Sequence, residues 1–202
     1  LDLTWNISLE NDPDAPPCEN EEEVIDKITL TFTPVDGGEA LSFVASDPDG
    51  PGPLSIQVED VILDESTEYD MSITLENTIE GEDITEEIRE EDDEHMFFFA
   101  FSEELFASPD GDGNIDNRAD PVNYLDQDDN MLPVGLLTNW TTQCVDENAS
   151  GTLTIVLKHQ PGIKSATSTA ADGGTDLDLT WNISLENDPD APPCENEEEV
   201  ID

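Results

Sequence analysis

An unchanged internal repeat constrains the fold of this chain more than any other feature of its sequence. Residues 177–202 have the same sequence as residues 1–26, so one period runs from Leu1 to Asp176 and the chain continues into the next. Chance does not produce such identity, and an old duplication would have drifted. Repeats identify the folding unit before any local pattern does. This repeat predicts identical modules joined end to end, either in a tandem array or in a polymer of chains that contain both junctions.

Each copy of the repeat begins with a predicted β-strand. In the first copy, apolar residues occupy alternate positions, the period of a strand with one buried face: Leu1, Leu3, Trp5, Ile7 and Leu9. One sandwich needs one closing strand, yet the chain holds two, and an unpaired amphipathic strand promotes aggregation. We therefore expect residues 177–185 to complete this body and residues 1–9 to complete a preceding one. In a polymer of separate chains, the same strand would enter a neighbour's sheet edge by strand complementation.

The rest of the period consists of short apolar runs separated by turn residues. Alternation predicts strands at 28–33, 41–45, 54–58, 71–75, 95–101, 134–142 and 153–157. An acidic segment at 82–94 carries Ile84 and Ile88 four residues apart, which predicts one helix that covers a sheet edge. Together these elements predict an all-β fold, an immunoglobulin-like antiparallel β-sandwich with one short acidic helix.

The predicted elements divide the chain into four parts. Residues 1–10 form the closing strand of, or donated to, the neighbouring module, and residues 11–23 form a linker rich in proline and acidic residues. Residues 24–185 form the β-sandwich module, and residues 186–202 form the next linker and the start of the next module. Prolines make the linker semi-rigid and extended: Pro13, Pro16 and Pro17.

The charge of the chain limits its partners. It contains 52 Asp and Glu against 5 Lys and Arg, a formal net charge of −47. Such a surface repels nucleic acid and anionic membranes and attracts cations. No apolar run reaches the roughly 20 residues of a membrane span, and the start at Leu1 shows no signal peptide, so we expect any targeting signal to lie outside these residues. We expect identical neighbouring modules as partners, and no nucleic acid or direct membrane insertion.

The cysteines are best counted per period. Cys194 is the next module's copy of Cys18, so each period holds two, Cys18 and Cys144. An even count, wide spacing and no nearby ligand cluster favour a disulfide between Cys18 and Cys144, in an oxidising location, over free buried thiols. On this interpretation Cys194 lacks a partner only because its own period is incomplete.

One acidic segment has the pattern of a calcium loop. Residues 108–120 place carboxylates or amides at alternate positions with glycines between them, and calcium takes about six to eight oxygen ligands. The segment resembles the calcium loops of thrombospondin type 3 repeats and dockerins, although Ser108 and Ala119 replace acids that are usual there. The alternative is a solvated acidic turn. Two later acids could supply missing ligands, and the predicted Ca²⁺ set is Asp110, Asp112, Asn114, Asp116, Asp120, Asp126 and Asp128.

Three weaker site predictions remain. Asp47 and Asp49, in an Asp-Pro-Asp-Gly turn, form a second metal candidate that a plain turn explains equally well. Tyr69, Tyr124 and Trp140 could line a glycan-binding groove, but buried sandwich aromatics are the favoured interpretation. Candidate glycosylation sites of the Asn-x-Ser/Thr type occur at Asn6, Asn139, Asn148 and Asn182.

Catalytic motifs are not found in the sequence. It contains only two histidines, His95 and His159, which we interpret as hydrogen-bonded packing residues. It contains no Gly-x-Ser-x-Gly elbow, no phosphate-binding glycine loop and no His-Glu-x-x-His helix. We therefore predict that the protein is not an enzyme.

The order of several motifs resembles small surface lipoproteins of Bacteroidota. The matching segments are EEEVID with ITLTFTP at 21–34, DPDG at 47–50, ITEEI at 84–88, EHMFFF at 94–99, GTLTI at 151–155, KHQP at 158–161 and DLDLTW at 176–181. The resemblance spans about residues 18–185, with 106–125 as an insertion. It implies a surface location and a sandwich, and no reaction. Cys18 lacks the small-residue lipobox of such lipoproteins, so we expect it to cross-link rather than carry lipid.

These observations favour an architectural role. Repetition without change suits a rod or polymer better than a unique pocket. We predict a structural subunit of an extracellular or cell-surface filament or stalk, joined by strand sharing and stabilised by calcium. The alternative is a surface binding or adhesion module for a glycan or a protein partner.

Overall fold

The structure is a computed structural model that describes residues 23–50, 54–187 and 194. The first predicted strand, most of its linker, Cys18 and Asn6 lie outside the described residues. The elements are β1 Lys27–Pro34, β2 Leu41–Ser46, β3 Gln57–Val58, β4 Val61–Asp64, β5 Glu68–Glu76, α1 Ile84–Glu90, β6 His95–Phe101, a 3₁₀ turn Glu103–Leu105, β7 Phe106–Ser108, β8 Leu137–Thr142, β9 Ala149–His159 and β10 Gly174–Glu186.

The strands form two packed sheets. One has the order β3-β2-β1-β5-β8-β7, and the other has the order β4-β10-β9-β6. The predicted all-β sandwich with one short helix is therefore confirmed. Every strand pair is antiparallel within the described residues except β4 with β10, which is parallel.

Alternating side chains form the core between the sheets. In β1, Ile28, Leu30 and Phe32 are buried, whereas the two threonines between them are half-buried. Trp181 and Ile183 of β10 contribute to the same core from the opposite sheet. Burying one such side chain contributes about 1.5 to 3 kcal/mol, so the alternation fixes which face of each strand points inward.

The one α-helix in the described residues is shorter than the sequence predicts. It covers Ile84–Glu90 rather than 82–94, because the Asp83 side chain accepts a hydrogen bond from the Glu86 N–H and caps its start. Ile84 and Ile88 are buried, as predicted. The Thr85 hydroxyl bonds both the N–H and the carbonyl of Leu75, so α1 covers the edge of β5 beyond the end of β8.

Several strand boundaries also differ from the prediction. β4 and β7 were not predicted, and the predicted strands at 54–58 and 134–142 shorten to β3 and β8. The last two strands lengthen to β9 and β10, because they pair with each other along most of their length. No helix in the described part of the chain is long and apolar enough to cross a bilayer.

Candidate functional site

The second copy of the repeated strand occupies the closing position of this body. β10 lies between β9 and β4, and its Trp181, Ile183 and Leu185 are buried. Ile183 faces Gly151 of β9 on one side and Val61 of β4 on the other. Because both edges of β10 are hydrogen-bonded, this sheet has no further place for a second closing strand between β9 and β4.

Polar contacts hold the chain where it leaves β10. The side-chain amide of Asn187 donates to the Val145 carbonyl at 2.6 Å and to the Glu65 carboxylate at 3.0 Å. Its backbone N–H donates to the Asn148 side chain. The Glu65 carboxylate is buried and also accepts from the Val145 N–H at 2.7 Å. Asn187, the first residue after β10, is therefore fixed to the body by three hydrogen bonds.

A disulfide attaches the same linker to the body a second time. Cys144 and Cys194 are bonded, with their Cα atoms 5.6 Å apart. The predicted Cys18–Cys144 pairing is therefore wrong for this chain, and so is the expectation that Cys194 lacks a partner. The reason is that the second copy of the strand closes this body, and the described Cys194 of the same copy lies beside Cys144. Sequence spacing alone could not choose between Cys18 and its copy.

The predicted calcium loop brings three of its carboxylates together. Asp112, Asp116 and Asp120 each place one oxygen within 4.8 Å of the others. The Asp112 carbonyl accepts from the Phe101 N–H, and the Phe99 carbonyl accepts from the Asn114 N–H, so the loop adds to the edge of β6. Such a group offers the hard oxygen ligands that Ca²⁺ takes. Exposed carboxylates also occur in proteins without an ion, so the three oxygens define a candidate and no more.

The other predicted ligands are used differently. Asp110 is exposed and outside this group. Asn114 is buried, with its amide bonded to the Phe99 N–H and the Tyr124 hydroxyl. Asp126 accepts from the N–H groups of Gly135 and Leu137, so both of its oxygens have partners. Through these hydrogen bonds, Asn114 and Asp126 stabilise the fold around the loop.

Asp128, a predicted calcium ligand, forms a buried ion pair and lies outside the group of three carboxylates. Its carboxylate lies 3.1 Å from the Lys164 ammonium and accepts from the N–H groups of Asn130 and Leu132. Burial opposes ionisation of Asp128, but the Leu132 N–H and Lys164 hold its pKa below the usual range. Lys164 also donates to the Asp92 carbonyl, which ties this loop to the turn before β6.

The weaker predicted sites have ordinary local roles. Asp47 and Asp49 lie in a turn, where the Asp49 carboxylate accepts from the Leu54 N–H. Asn139 donates to both Glu68 and Asp70 at 2.9 Å, and Asn182 donates to Asp60. The predicted aromatic platform is mostly core: Tyr69 and Trp140 are fully buried, and the half-buried Tyr124 donates to the Phe97 carbonyl.

The two histidines meet across the β6–β9 pair. His95 and His159 face each other in register, and their rings stack with centroids 4.4 Å apart. Burial lowers the pKa of His95 to about 4. The His95 Nε2 lies 3.7 Å from the buried Asp176 carboxylate, whereas His159 Nε2 lies 3.2 Å from that of Glu94. Sequence patterns did not predict this cluster, because its residues lie on three different segments of the chain.

An acidic cavity lies beside the histidines. It has a volume of about 770 Å³, and its lining includes Glu23, Glu87 and Glu91. Burial and the neighbouring carboxylates of Glu87, Asp176 and Glu91 raise the pKa of Glu23 to about 7. Negative charge is therefore concentrated at this end of α1, where a cation would be attracted.

No known protein family, curated protein or solved structure matches the chain. The resemblance to Bacteroidota surface lipoproteins and to dockerin-type calcium loops therefore stays a prediction. What the chain can do has to be inferred from its own repeat, its contacts and its charges.

Proposed function

We propose that this chain is a structural module of a filament or stalk, in which each body is closed by the strand that leads into the next. One observation carries the proposal. The closing position of this body is occupied by residues 174–186, while residues 1–9 have the sequence of that same strand. The first copy is therefore a spare closing strand, and a preceding body is the partner whose core its Leu3, Trp5 and Ile7 match.

The contacts of the following linker support a fixed junction. Asn187 and Cys194 attach the linker to the body, and their copies in the first repeat are Asn11 and Cys18. By the same contacts, Asn11 would bond Glu65 and Val145 of a preceding body, and Cys18 would pair with Cys144 there. In this arrangement the disulfides connect successive modules, each binding one body to the linker of the next.

The proposal also includes a bound calcium ion and an extracellular or cell-surface location. Repulsion among Asp112, Asp116 and Asp120 disfavours the folded loop, and a bound Ca²⁺ would remove that cost. Disulfides persist in oxidising surroundings, which favours an extracellular or cell-surface location. We propose no catalytic role. The glycan-binding alternative needs an exposed aromatic platform, and the burial of Tyr69 and Trp140 does not favour it.

The proposal is tested with two versions of the chain. Residues 1–176 contain the first strand and a body without its closing strand, so this version should polymerise head to tail. The full chain already has its closing position filled, so it should remain monomeric at the same concentration. Size-exclusion chromatography with light scattering and electron microscopy distinguish the two. Trp5→Asp in the 1–176 chain is the matched control and should abolish polymerisation.

Two outcomes would contradict the proposal. One is a 1–176 chain that stays monomeric because its first strand folds back into its own body. The other is a polymer that the Trp5→Asp variant still forms. The covalency of the native assembly is read separately: boiling in denaturant and reductant leaves very long chains if the modules are in tandem, and single periods if the strands are exchanged between chains.

A further inference from the structure

Lys164 and Asp128 form an ion pair that is almost completely shielded from solvent. The Lys164 Nζ lies 3.1 Å from Oδ2 of Asp128, and the two side chains are 1% and 0% exposed. Removing each charge from water costs several kcal/mol, which the attraction between the charges repays only when the geometry is favourable. A reaction that neutralised both groups would remove this cost.

The Asp128 carboxylate is held in a fixed orientation. Its Oδ1 accepts from the N–H groups of Asn130 at 2.8 Å and of Leu132 at 2.9 Å. Two N–H groups that point at one oxygen stabilise the negative charge that develops there when the adjoining carbon is attacked. Oδ2 lies next to Lys164 Nζ and accepts no hydrogen bond within the described residues. Oδ1 is therefore suited to carry the negative charge, and Oδ2 is suited to leave.

The amine of Lys164 is positioned from its other side. Its Nζ donates to the Asp92 carbonyl, and its backbone N–H donates to the Gln160 carbonyl at 3.0 Å. Burial lowers the pKa of Lys164 below its usual range, which favours the neutral amine. The neutral amine is the form of lysine that acts as a nucleophile.

We propose that Lys164 and Asp128 form an intramolecular isopeptide bond between Nζ of the lysine and Cγ of the aspartate. In the ion pair, one proton first moves from Nζ to Oδ2. Nζ then attacks Cγ, and the charge that develops on Oδ1 is stabilised by the two N–H groups. A second proton moves from Nζ to Oδ2, the Cγ–Oδ2 bond breaks, and Oδ2 leaves as water. The products are one amide and one water molecule, so the reaction needs no oxidant, reductant or cofactor.

Two physical effects favour the amide over the ion pair. The amide is neutral, so its formation removes two buried charges. The reacting groups are also held together, and well-oriented groups in one molecule reach effective concentrations of about 10⁵ to 10⁸ M. The lowered pKa of Asp128 keeps the pair ionised for most of the time, which slows the first proton transfer. The bond has to form only once in each chain, so even a slow reaction goes to completion.

The bond would join the two sheets. Asp128 lies between β7 and β8, which both belong to the six-stranded sheet. Lys164 lies between β9 and β10, which both belong to the four-stranded sheet. A covalent link between these segments restricts the unfolded chain, as a disulfide does. It depends on this pair alone and is independent of the proposed filament.

Mass spectrometry of the full chain tests the proposal. After prolonged incubation of the folded protein, reduction and denaturation, the intact chain should weigh one water molecule less than its sequence. Tandem spectra of a digest should identify a branched peptide in which Lys164 is joined to Asp128. Cyclisation at the Asp-Gly steps of the chain also releases water, so the branched peptide is the deciding observation.

Two lysine variants assign the bond. Lys164→Arg keeps the positive charge, but the guanidinium stays protonated and is not a nucleophile, so this variant should give no branched peptide. Lys158→Arg is the matched control, because Lys158 is also buried but donates to the Thr175 hydroxyl. It should give the branched peptide as the unaltered chain does.

The unaltered chain decides the question even if Lys164→Arg fails to fold. Recovery of Lys164 and Asp128 in two separate linear peptides would overturn the proposal. A branched peptide that joins Lys164 to a different carboxyl group would also overturn it, because the reacting carbon would then not be Cγ of Asp128.

Discussion

At the scale of single residues, glycine at position 113 is required by a close approach of two backbones. Gly113 has a φ of +96°, and a Cβ there would lie 2.1 Å from the Phe99 carbonyl oxygen. Gly111 has a similar φ of +91°, but open space surrounds its missing Cβ. Substitutions at the two glycines therefore separate two contributions to the free energy of unfolding: that of the backbone conformation and that of a steric clash.

We predict that Gly113→Ala destabilises the protein by about 2 to 4 kcal/mol, because it adds a backbone clash to an unfavourable φ. Gly111→Ala carries only the conformational cost of about 1 to 2 kcal/mol. Urea denaturation followed by tryptophan fluorescence measures both. Equal effects of the two substitutions would show that the loop is not held against β6 as described.

Asp26 is a second residue whose side chain stabilises the fold through one set of hydrogen bonds. Its buried carboxylate accepts from the N–H groups of Thr78 and Ile79 and from the Thr78 hydroxyl, all within 2.9 Å. Asp26→Ala leaves these donors unsatisfied, and we predict a loss of about 3 kcal/mol of stability. Asp83→Ala, which removes only a helix cap, should cost about 1 kcal/mol. An unfolding midpoint that Asp26→Ala leaves unchanged would refute this assignment.

At the scale of elements, the two copies of the repeated strand allow the same substitution to be compared at two positions. Trp5 and Trp181 occupy the same position in two identical strands, but only Trp181 lies in the described core. Trp181→Ala should destabilise the full chain by about 3 to 5 kcal/mol, as expected for a large-to-small change in a core. Trp5→Ala should leave the stability of the isolated chain unchanged. Equal losses from both would mean that the two copies compete for the closing position.

The disulfide allows the two copies of the repeat to be compared in the same way, through Cys18 and Cys194. Mass spectrometry of unreduced peptides should find Cys144 joined to Cys194, with Cys18 reduced in the isolated chain. Cys144→Ser should lower stability by about 2 to 4 kcal/mol, because the cross-link no longer restricts the unfolded chain. Cys18→Ser should have no such effect. A Cys18–Cys144 peptide in the isolated chain would reverse the assignment.

At the scale of the whole molecule, we expect the acidic surface to make stability depend on cations. The net charge is −47, and three carboxylates of the loop after β7 lie within 4.8 Å of one another. Binding of Ca²⁺ to the folded state alone raises stability by mass action. We predict that chelation lowers the Tm by roughly 5 °C.

Variants of the loop assign that effect to a site. Asp116→Asn should abolish most of the calcium-dependent shift in Tm, whereas Asp110→Asn should leave it unchanged, because Asp110 lies outside the group. Differential scanning calorimetry with and without Ca²⁺ measures both variants. A melting curve that chelator does not move would exclude calcium as a stabiliser of this body.

The sequence by itself determined the class of fold, the short acidic helix and the closing strand at 177–185, because these depend on local periodicity and on a repeat that is visible without coordinates. That residues 1–9 are a spare copy of this strand stays a prediction. The position of the three clustered aspartates in the loop was also predicted, since they lie within nine residues of one another. Only the tertiary structure decided which cysteine Cys144 binds, that Asn114, Asp126 and Asp128 serve the fold, and that His95 meets Asp176. These contacts join segments distant in sequence, and strand register, which depends on the whole core, brings such segments together.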